Sequence, residues 1–254
     1  MTERPRLAYA QARILARLSR LPAEADWQRL AGSRTLSAYL EEARTTGLSD
    51  WVRAFSGLSQ SHELERGCRA LARESIRVTA DWAPAVWRPA IEWLAWLPSL
   101  PLLELLAHGD AMPGWVAMDD QLRGMLDADG AIDPTALAAA GLADLVADGD
   151  PSAVGTRWHA IWRARWPRCR RSVRDDLEAL AMLLQRHLDA FRAGSPAEAW
   201  GLREVLRNRL GSHLHQHLMQ PVVLFGYLAI LFLDLERLRS ALVSRAVFGA
   251  EGAG

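Results

Sequence analysis

The strongest constraint on this chain is a helical repeat of apolar residues that runs through most of its length. Between 176 and 191, Leu177, Leu180, Ala181, Leu184, Leu188 and Phe191 recur at intervals of three and four, the spacing that puts side chains on one side of an α-helix. Glu178, Gln185, Arg186 and Asp189 take the other side. Leu7, Ile14, Leu18 and Leu21 draw the same stripe near the N-terminus, with Arg13, Arg17 and Arg20 opposite it. Ser33 or Thr35 is placed to cap a helix through Leu36 and Leu40 that ends near Gly47, and residues 62–80 form another. No run of alternating β-branched residues competes with this pattern. The chain is expected to be all-α, with many helices in two or more helical lobes.

Prolines and glycines divide the pattern. Pro84, Pro89, Pro98 and Pro101 cut DWAPAVWRPAIEWLAWLPSLPLLELLA into short pieces, because proline lacks the amide donor and clashes with the preceding turn. Glu92 and Glu104 interrupt its apolar run, so a corner of a bundle is expected there and not a membrane span. From 108 to 156, Gly, Asp, Ala and Pro dominate. Asp133-Pro134 starts a short helix whose face is Leu137, Leu142 and Leu145, and the rest reads as connection. The expected division is an N-terminal lobe over 1–125, a connecting region over 126–156 and a C-terminal lobe over 157–254.

Charge and residue usage exclude several function classes. Lys+Arg and Asp+Glu are both 30 among 254 residues, so no overall field draws the chain to nucleic acid or an anionic bilayer. All the basic charge is arginine. Without lysine there is no Walker-type phosphate loop and no Schiff base. Cys68 and Cys169 lie far apart with no C-x-x-C partner, which suits a reducing cytoplasm better than a thiolate zinc site or a disulfide scaffold. MTERPRLAYAQARILARL has no apolar core of the kind a secretory signal needs.

Four local patterns are candidates for chemistry. His213, His215 and His217 alternate, and on a helix His213 and His217 share a face. HExxH spacing is absent and no neighbouring carboxylate or cysteine completes a shell, so no metal is expected and the histidines read as surface or boundary residues. Trp158, Trp162 and Trp166 recur every four residues among Arg157, Arg163, Arg165, Arg168, Arg170, Arg171 and Arg174. Such a helix buries its tryptophans under snorkelling arginines, presents a partner-binding face, or binds single-stranded nucleic acid. Asp119-Asp120 and Asp175-Asp176 lack the histidine or cysteine partner that acid–base work needs, and Asp175-Asp176 suit a helix N-terminus. GxSxG, GxGxxG and HExxH do not occur, so a catalytic site would have to be assembled from distant residues. The apolar run from Pro221 to Leu233 is shorter than the roughly 20 residues of a spanning helix. Beyond it, Leu235, Leu238 and Leu242 keep one face while Asp234, Arg237, Arg239 and Arg245 hold others. The expectation is a helix from Pro221, buried along its first half and amphipathic along its second.

PVVLFGYLAILFLDLERLRSALVSRAVFG resembles the last helical segment of the C/d-type coupling-subunit family of V-type/A-type ATPases. That family carries a proline-led helix with a tyrosine-leucine pair, then an acidic residue, then Asn-Leu-Arg. Tyr227-Leu228, Asp234 and Leu238-Arg239 sit at matching places, with Arg237 where the family has asparagine. Tyr9, Arg13, Leu18-Ser19, Leu36, Leu40 and Thr46 follow the order of the family's opening helices, in a chain shorter than the three stacked helical subdomains of typical members. The resemblance covers about the first and last fifths. It implies a non-catalytic subunit that couples the central stalk of a rotary ATPase to the membrane rotor ring in proton or sodium transport. Such a subunit needs no cofactor and lies at the cytoplasmic face of the membrane through its partner subunits. Trp158, Trp162, Arg163, Trp166, Arg237 and Arg239 are the residues expected at partner interfaces, since tryptophan and arginine are favoured there. The alternatives are a nucleic-acid-binding or other helical interaction module using 157–174, and an enzyme with a scattered site.

Overall fold

The computed structural model describes residues 3–110, 112–127, 129, 131–195 and 198–248. The helical periodicity is realised throughout: the described residues contain no β-strand, only one isolated antiparallel bridge between Leu126 and Ile132. The helices fall into two compact units, Met1–Ile91 with Pro167–Gly254, and Glu92–Trp166.

In chain order the first unit begins with α1 (Glu3–Leu18), α2 (Glu24–Ala31), α3 (Leu36–Ala43), the single turn α4 (Ser49–Val52) and α5 (Ser61–Trp82). The chain enters the second unit at the end of α6 (Arg88–Glu92). It continues through α7 (Leu100–His108), α8 (Asp120–Arg123), α9 (Pro134–Ala139), α10 (Ala143–Val146) and α11 (Val154–Ala164). It returns for α12 (Arg171–Ala193), α13 (Ala199–Gln216) and α14 (Val222–Phe248).

The first unit is organised around α14, which packs against α5, α13, α1, α12 and α3. Every residue from Pro221 to Leu228 is buried, so the helix is apolar all round and needs neighbours on every side. Beyond Asp234 its buried positions contract to Leu235, Leu238 and Leu242, with Glu236, Arg237, Arg239 and Arg245 among the remaining positions. Leu238 and Leu242 enter a core with Trp27, Leu30, Tyr39 and Leu64, drawn from α2, α3 and α5. Thr35 is the cap of α3, its Oγ1 accepting from Ala38 N at 3.3 Å.

Gly67 in α5 seats the buried Phe55 ring: a Cβ at this position would stand 2.7 Å from Phe55 Cζ. Gly67→Ala would gain about 1 kcal/mol of helix propensity against about 1–3 kcal/mol of overpacking. A net loss of stability is expected in urea melts. In a Phe55→Ala background the same substitution should become stabilising, which separates the ring clash from any effect on α5 itself.

Two sequence expectations are corrected here. The lobes expected over 1–125 and 157–254 are not separate, because α5 and α14 share a core and the first unit draws on both ends of the chain. The region 126–156 is not a connection either; it lies inside the second unit, with Leu137, Leu142 and Leu145 buried. Its acidic, proline-rich texture marks repeated helix starts. Asp133 and Asp150 each accept a hydrogen bond from the backbone amide two residues on, at 2.8 and 2.9 Å, as Asp119 does ahead of the region at 3.1 Å. Pro134 and Pro151 fill first helical positions where no amide donor is needed.

The proline-rich stretch is broken as expected. Helical 3₁₀ pieces at Ala85–Trp87 and Trp93–Ser99 alternate with α6 and α7. By length and composition alone, Ala85–His108 is long and apolar enough to cross a membrane, with a hydropathy of 1.3, and 44% of that window is buried within the protein. The α12 stripe is only half used. Leu177, Leu180 and Ala181 are buried, whereas Leu188 is 48% exposed.

Candidate functional site

The arginines of α13 and α14 brace the first unit. Arg237 donates two hydrogen bonds to Glu24, at 2.6 and 2.9 Å, and its guanidinium lies 4.8 Å from the Trp27 ring and 5.5 Å from the Trp200 ring. The hydrogen bond from Arg237 holds the Glu24 carboxyl below the usual carboxylate range, against a smaller opposing effect of burial. Arg239 grips Glu236 through Nε and Nη2 at 2.8 and 2.7 Å and reaches Glu65 on α5 through Nη1 at 2.7 Å. Arg245 donates to the Leu30 carbonyl in the last turn of α2 and to the Ser33 carbonyl just beyond it, and lies 4.3 Å from the Tyr39 ring. Arg237 and Arg239, expected at a partner interface, thus tie α14 to α2 and α5.

Deeper in the unit, Arg207 of α13 donates from Nε and Nη2 to the two oxygens of Asp234, at 3.0 and 3.1 Å. The Asp234 side chain is 3% exposed and that of Arg207 is 38% exposed. Burial pushes the Asp234 carboxyl above its ordinary value, and Arg207 offsets this only in part. Sequence reading placed Asp234 in a family pattern but missed its partner, because no local signal connects positions 27 residues apart.

The tryptophans belong to the second unit. Trp158, Trp162 and Trp166 are buried, at 7%, 4% and 9% exposure. Trp158 stacks between Trp93 and Trp162, with ring centres 6.5 and 6.2 Å apart, and Trp162 meets Trp166 edge-on at 4.9 Å. Trp93 Nε1 donates to the Trp158 carbonyl at 3.2 Å, and the Arg165 guanidinium covers the Trp93 ring at 3.8 Å. The periodic stripe is therefore interior, while Arg163, Arg168, Arg170, Arg171 and Arg174 are exposed. The outer aromatic platform that a partner face or nucleic-acid reading requires is not formed by these rings, which lie against one another and Trp93.

The histidines form a stack. His213 and His217, one helical turn apart at the end of α13, have ring centres 4.1 Å apart and an interplanar angle of 22°. His217 Nδ1 donates to the His213 carbonyl at 2.8 Å, and its Nε2 lies 3.4 Å from Asp176 Oδ1 on α12. A carboxylate does therefore stand beside the histidines, although the sequence showed none nearby. Asp176 and Asp175 lie one turn inside α12, not in the first turn expected for them, and Asp175 faces Arg171 at 3.8 Å. Among the described residues no group of three His, Cys, Asp or Glu is arranged to hold a metal ion. His215 points elsewhere, its Nδ1 donating to the Gly211 carbonyl at 2.8 Å.

Both ring nitrogens of His213 are buried without a hydrogen-bond partner. Burial lowers its pKa from the ordinary value, His217 adds to the shift and Asp176 opposes it. The unfolded chain, titrating at about 6.5, then binds this proton before the folded chain does. The contribution is complete above that value and is lost as pH falls toward the lower folded value. His213→Phe preserves a flat ring in the stack and removes the titration. Its melting temperature relative to wild type should rise between pH 7.5 and 5.5, whereas a constant difference would exclude His213 as the titrating group.

Of the remaining groups, Asp119 is buried and caps α8, while the side chain of Asp120 lies outside the described residues. Cys68 and Cys169 form no disulfide, and burial pushes the Cys68 thiol up to about 12, far from a reactive thiolate. An open cleft of about 620 Å³ lies in the first unit between the end of α1, one side of α13, and Ile230 of α14. No protein-family model matches the chain, and neither a curated protein nor a solved structure matches it.

Proposed function

We propose that this chain is a non-catalytic coupling component of a V/A-type rotary ATPase, a short relative of the C/d-type family. In that role it links the central stalk to the membrane rotor ring at the cytoplasmic face of the membrane. One observation carries the reading: the α14 residues that bear the family likeness lie in the structural spine of the first unit. Tyr227, Leu228, Asp234 and Leu238 are all buried in α14, and Arg239 ties that helix to α5. A coupling part transmits torque by being stiff. A central helix held by Arg207–Asp234, Arg237–Glu24 and Arg239–Glu65 is suited to that.

The test is purification of the chain, tagged at its genomic locus, from gently solubilised membranes. The expected result is recovery with stalk and ring subunits and with ATPase activity that the chain lacks alone. Recovery of the chain by itself, from membranes that contain an assembled rotary ATPase, would overturn the reading.

A further inference from the structure

We propose that the histidine stack at the end of α13 is an acid-operated latch on α12: a first proton, on His217, fastens that helix, and a second, on His213, releases it. His217 presents both ring nitrogens to acceptors. Its Nδ1 donates to the His213 carbonyl at 2.8 Å, and its Nε2 faces Asp176 Oδ1 at 3.4 Å. The neutral ring has a single N–H and satisfies only the carbonyl. The imidazolium has two, and the second makes the charge-assisted contact that ties α13 to α12. His213 is the opposite case. Its ring lies 4.1 Å from that of His217, and both its nitrogens are buried with no hydrogen-bond partner. A proton there gains no hydrogen bond and sets a second positive charge against the first.

The surroundings decide which helix yields. α12 and α14 both pack on α13. The charges that act on His213 are those of His217 on its own helix and Asp176 on α12, and α14 has no charged residue between 222 and 233. A charged His213 therefore reaches water when a neighbouring helix lifts. α14 is firmly held. Every residue from Pro221 to Leu228 is buried, Arg207 grips Asp234 through two hydrogen bonds, and the Met219 amide at the α13–α14 corner donates to Gln11 of α1. α12 is held by less. Leu177, Leu180 and Ala181 are its buried residues, while Met182 and Leu188 are about half exposed. The helix that buries least opens at least cost, and it also carries the latch carboxylate, one residue before Leu177.

Burial holds His213 below the ordinary histidine value, so the opened state takes its proton first and closure weakens as pH falls through that value. Amide hydrogen exchange of the full chain, expressed as protection factors, reads both steps. Between about pH 7 and 5, where ordinary carboxylates stay charged, protection across Leu177–Ala181 should fall while Val223–Leu228 of α14 keeps its own. One proton bound on opening sets the limit at about tenfold per pH unit. His213→Phe keeps the stacked ring and should abolish the fall. His187, farther along α12, is also lowered by burial and by Arg203, so His187→Phe is the control and should leave the fall in place. The fastening step is read in Asp176→Ala. Its protection at Leu177–Ala181 should lie severalfold below wild type at about pH 6.5 and approach it at about pH 8.5, where a histidine ring is neutral. A fall shared by α12 and α14, no fall at all, or one that survives His213→Phe would overturn the latch. So would an Asp176→Ala deficit that does not change with pH. The latch stands apart from the coupling reading: copurification can fail while α12 still responds to acid, and the reverse.

Discussion

Arg207→Met should destabilise the first unit by about 3–5 kcal/mol, because it leaves the Asp234 carboxylate buried without its hydrogen-bonded counter-charge. Asp234→Leu should cost less. Arg207 is 38% exposed on its side chain and can turn to water, whereas the Asp234 side chain is 3% exposed and cannot. The double replacement Arg207→Met/Asp234→Leu removes both charges and should recover most of the loss. Urea melts of the three variants test the asymmetry, and equal losses in the two single variants would refute it. The pH dependence has a definite sign. Burial already raises the Asp234 carboxyl in the intact protein, and loss of Arg207 raises it further. A carboxyl whose folded value is raised binds its proton more readily folded than unfolded. The deficit of Arg207→Met should therefore shrink as pH falls toward 4 and grow as pH rises.

Leu238→Ala should cost about 2–5 kcal/mol, the range for deleting a fully buried leucine side chain and leaving a cavity. Leu238 is 0% exposed and lies in the cluster with Trp27, Leu30, Tyr39 and Leu64. The contrast is Leu188→Ala on α12. Both leucines fall on apolar stripes of similar appearance, but Leu188 is 48% exposed, and its loss should stay within about 0.5 kcal/mol. Comparable losses in melts of the two variants would mean that α12 is buried by something absent from the single chain.

That contrast marks the limit of reading stripes from sequence. Periodicity finds the helices and their apolar faces, because a 3.6-residue repeat is a local property. Pro221 opening α14, Thr35 capping α3 and Asp133-Pro134 starting α9 were legible for the same reason. What a stripe packs against is not local. The 126–156 region read as a connection because glycine, aspartate and proline there open several short helices, and no single helix is long enough to give a strong period. The pairing of α5 with α14 spans more than a hundred residues, and neither stripe specifies the other. The open cleft beside α13 was less legible still. Gly211 and Ser212 have low helix propensity, yet α13 continues through both. Both line the open cleft together with Leu18 and Leu21, residues some 190 positions earlier that no local pattern brings to them.

The inserted order of the two units has a consequence for synthesis. Glu92–Trp166 is contiguous, so its contacts can all form once Trp166 has left the ribosome. The surrounding unit must wait for α14, the last of the described helices to be made. Until then Leu64, Cys68 and Ile76 of α5 lack their principal neighbour. At about 5–20 residues per second that interval lasts on the order of 4–16 s, long on the scale of hydrophobic collapse. The nascent chain thus carries a finished second unit and an uncovered α5 at once, which makes the interval before α14 emerges the natural moment for chaperone capture.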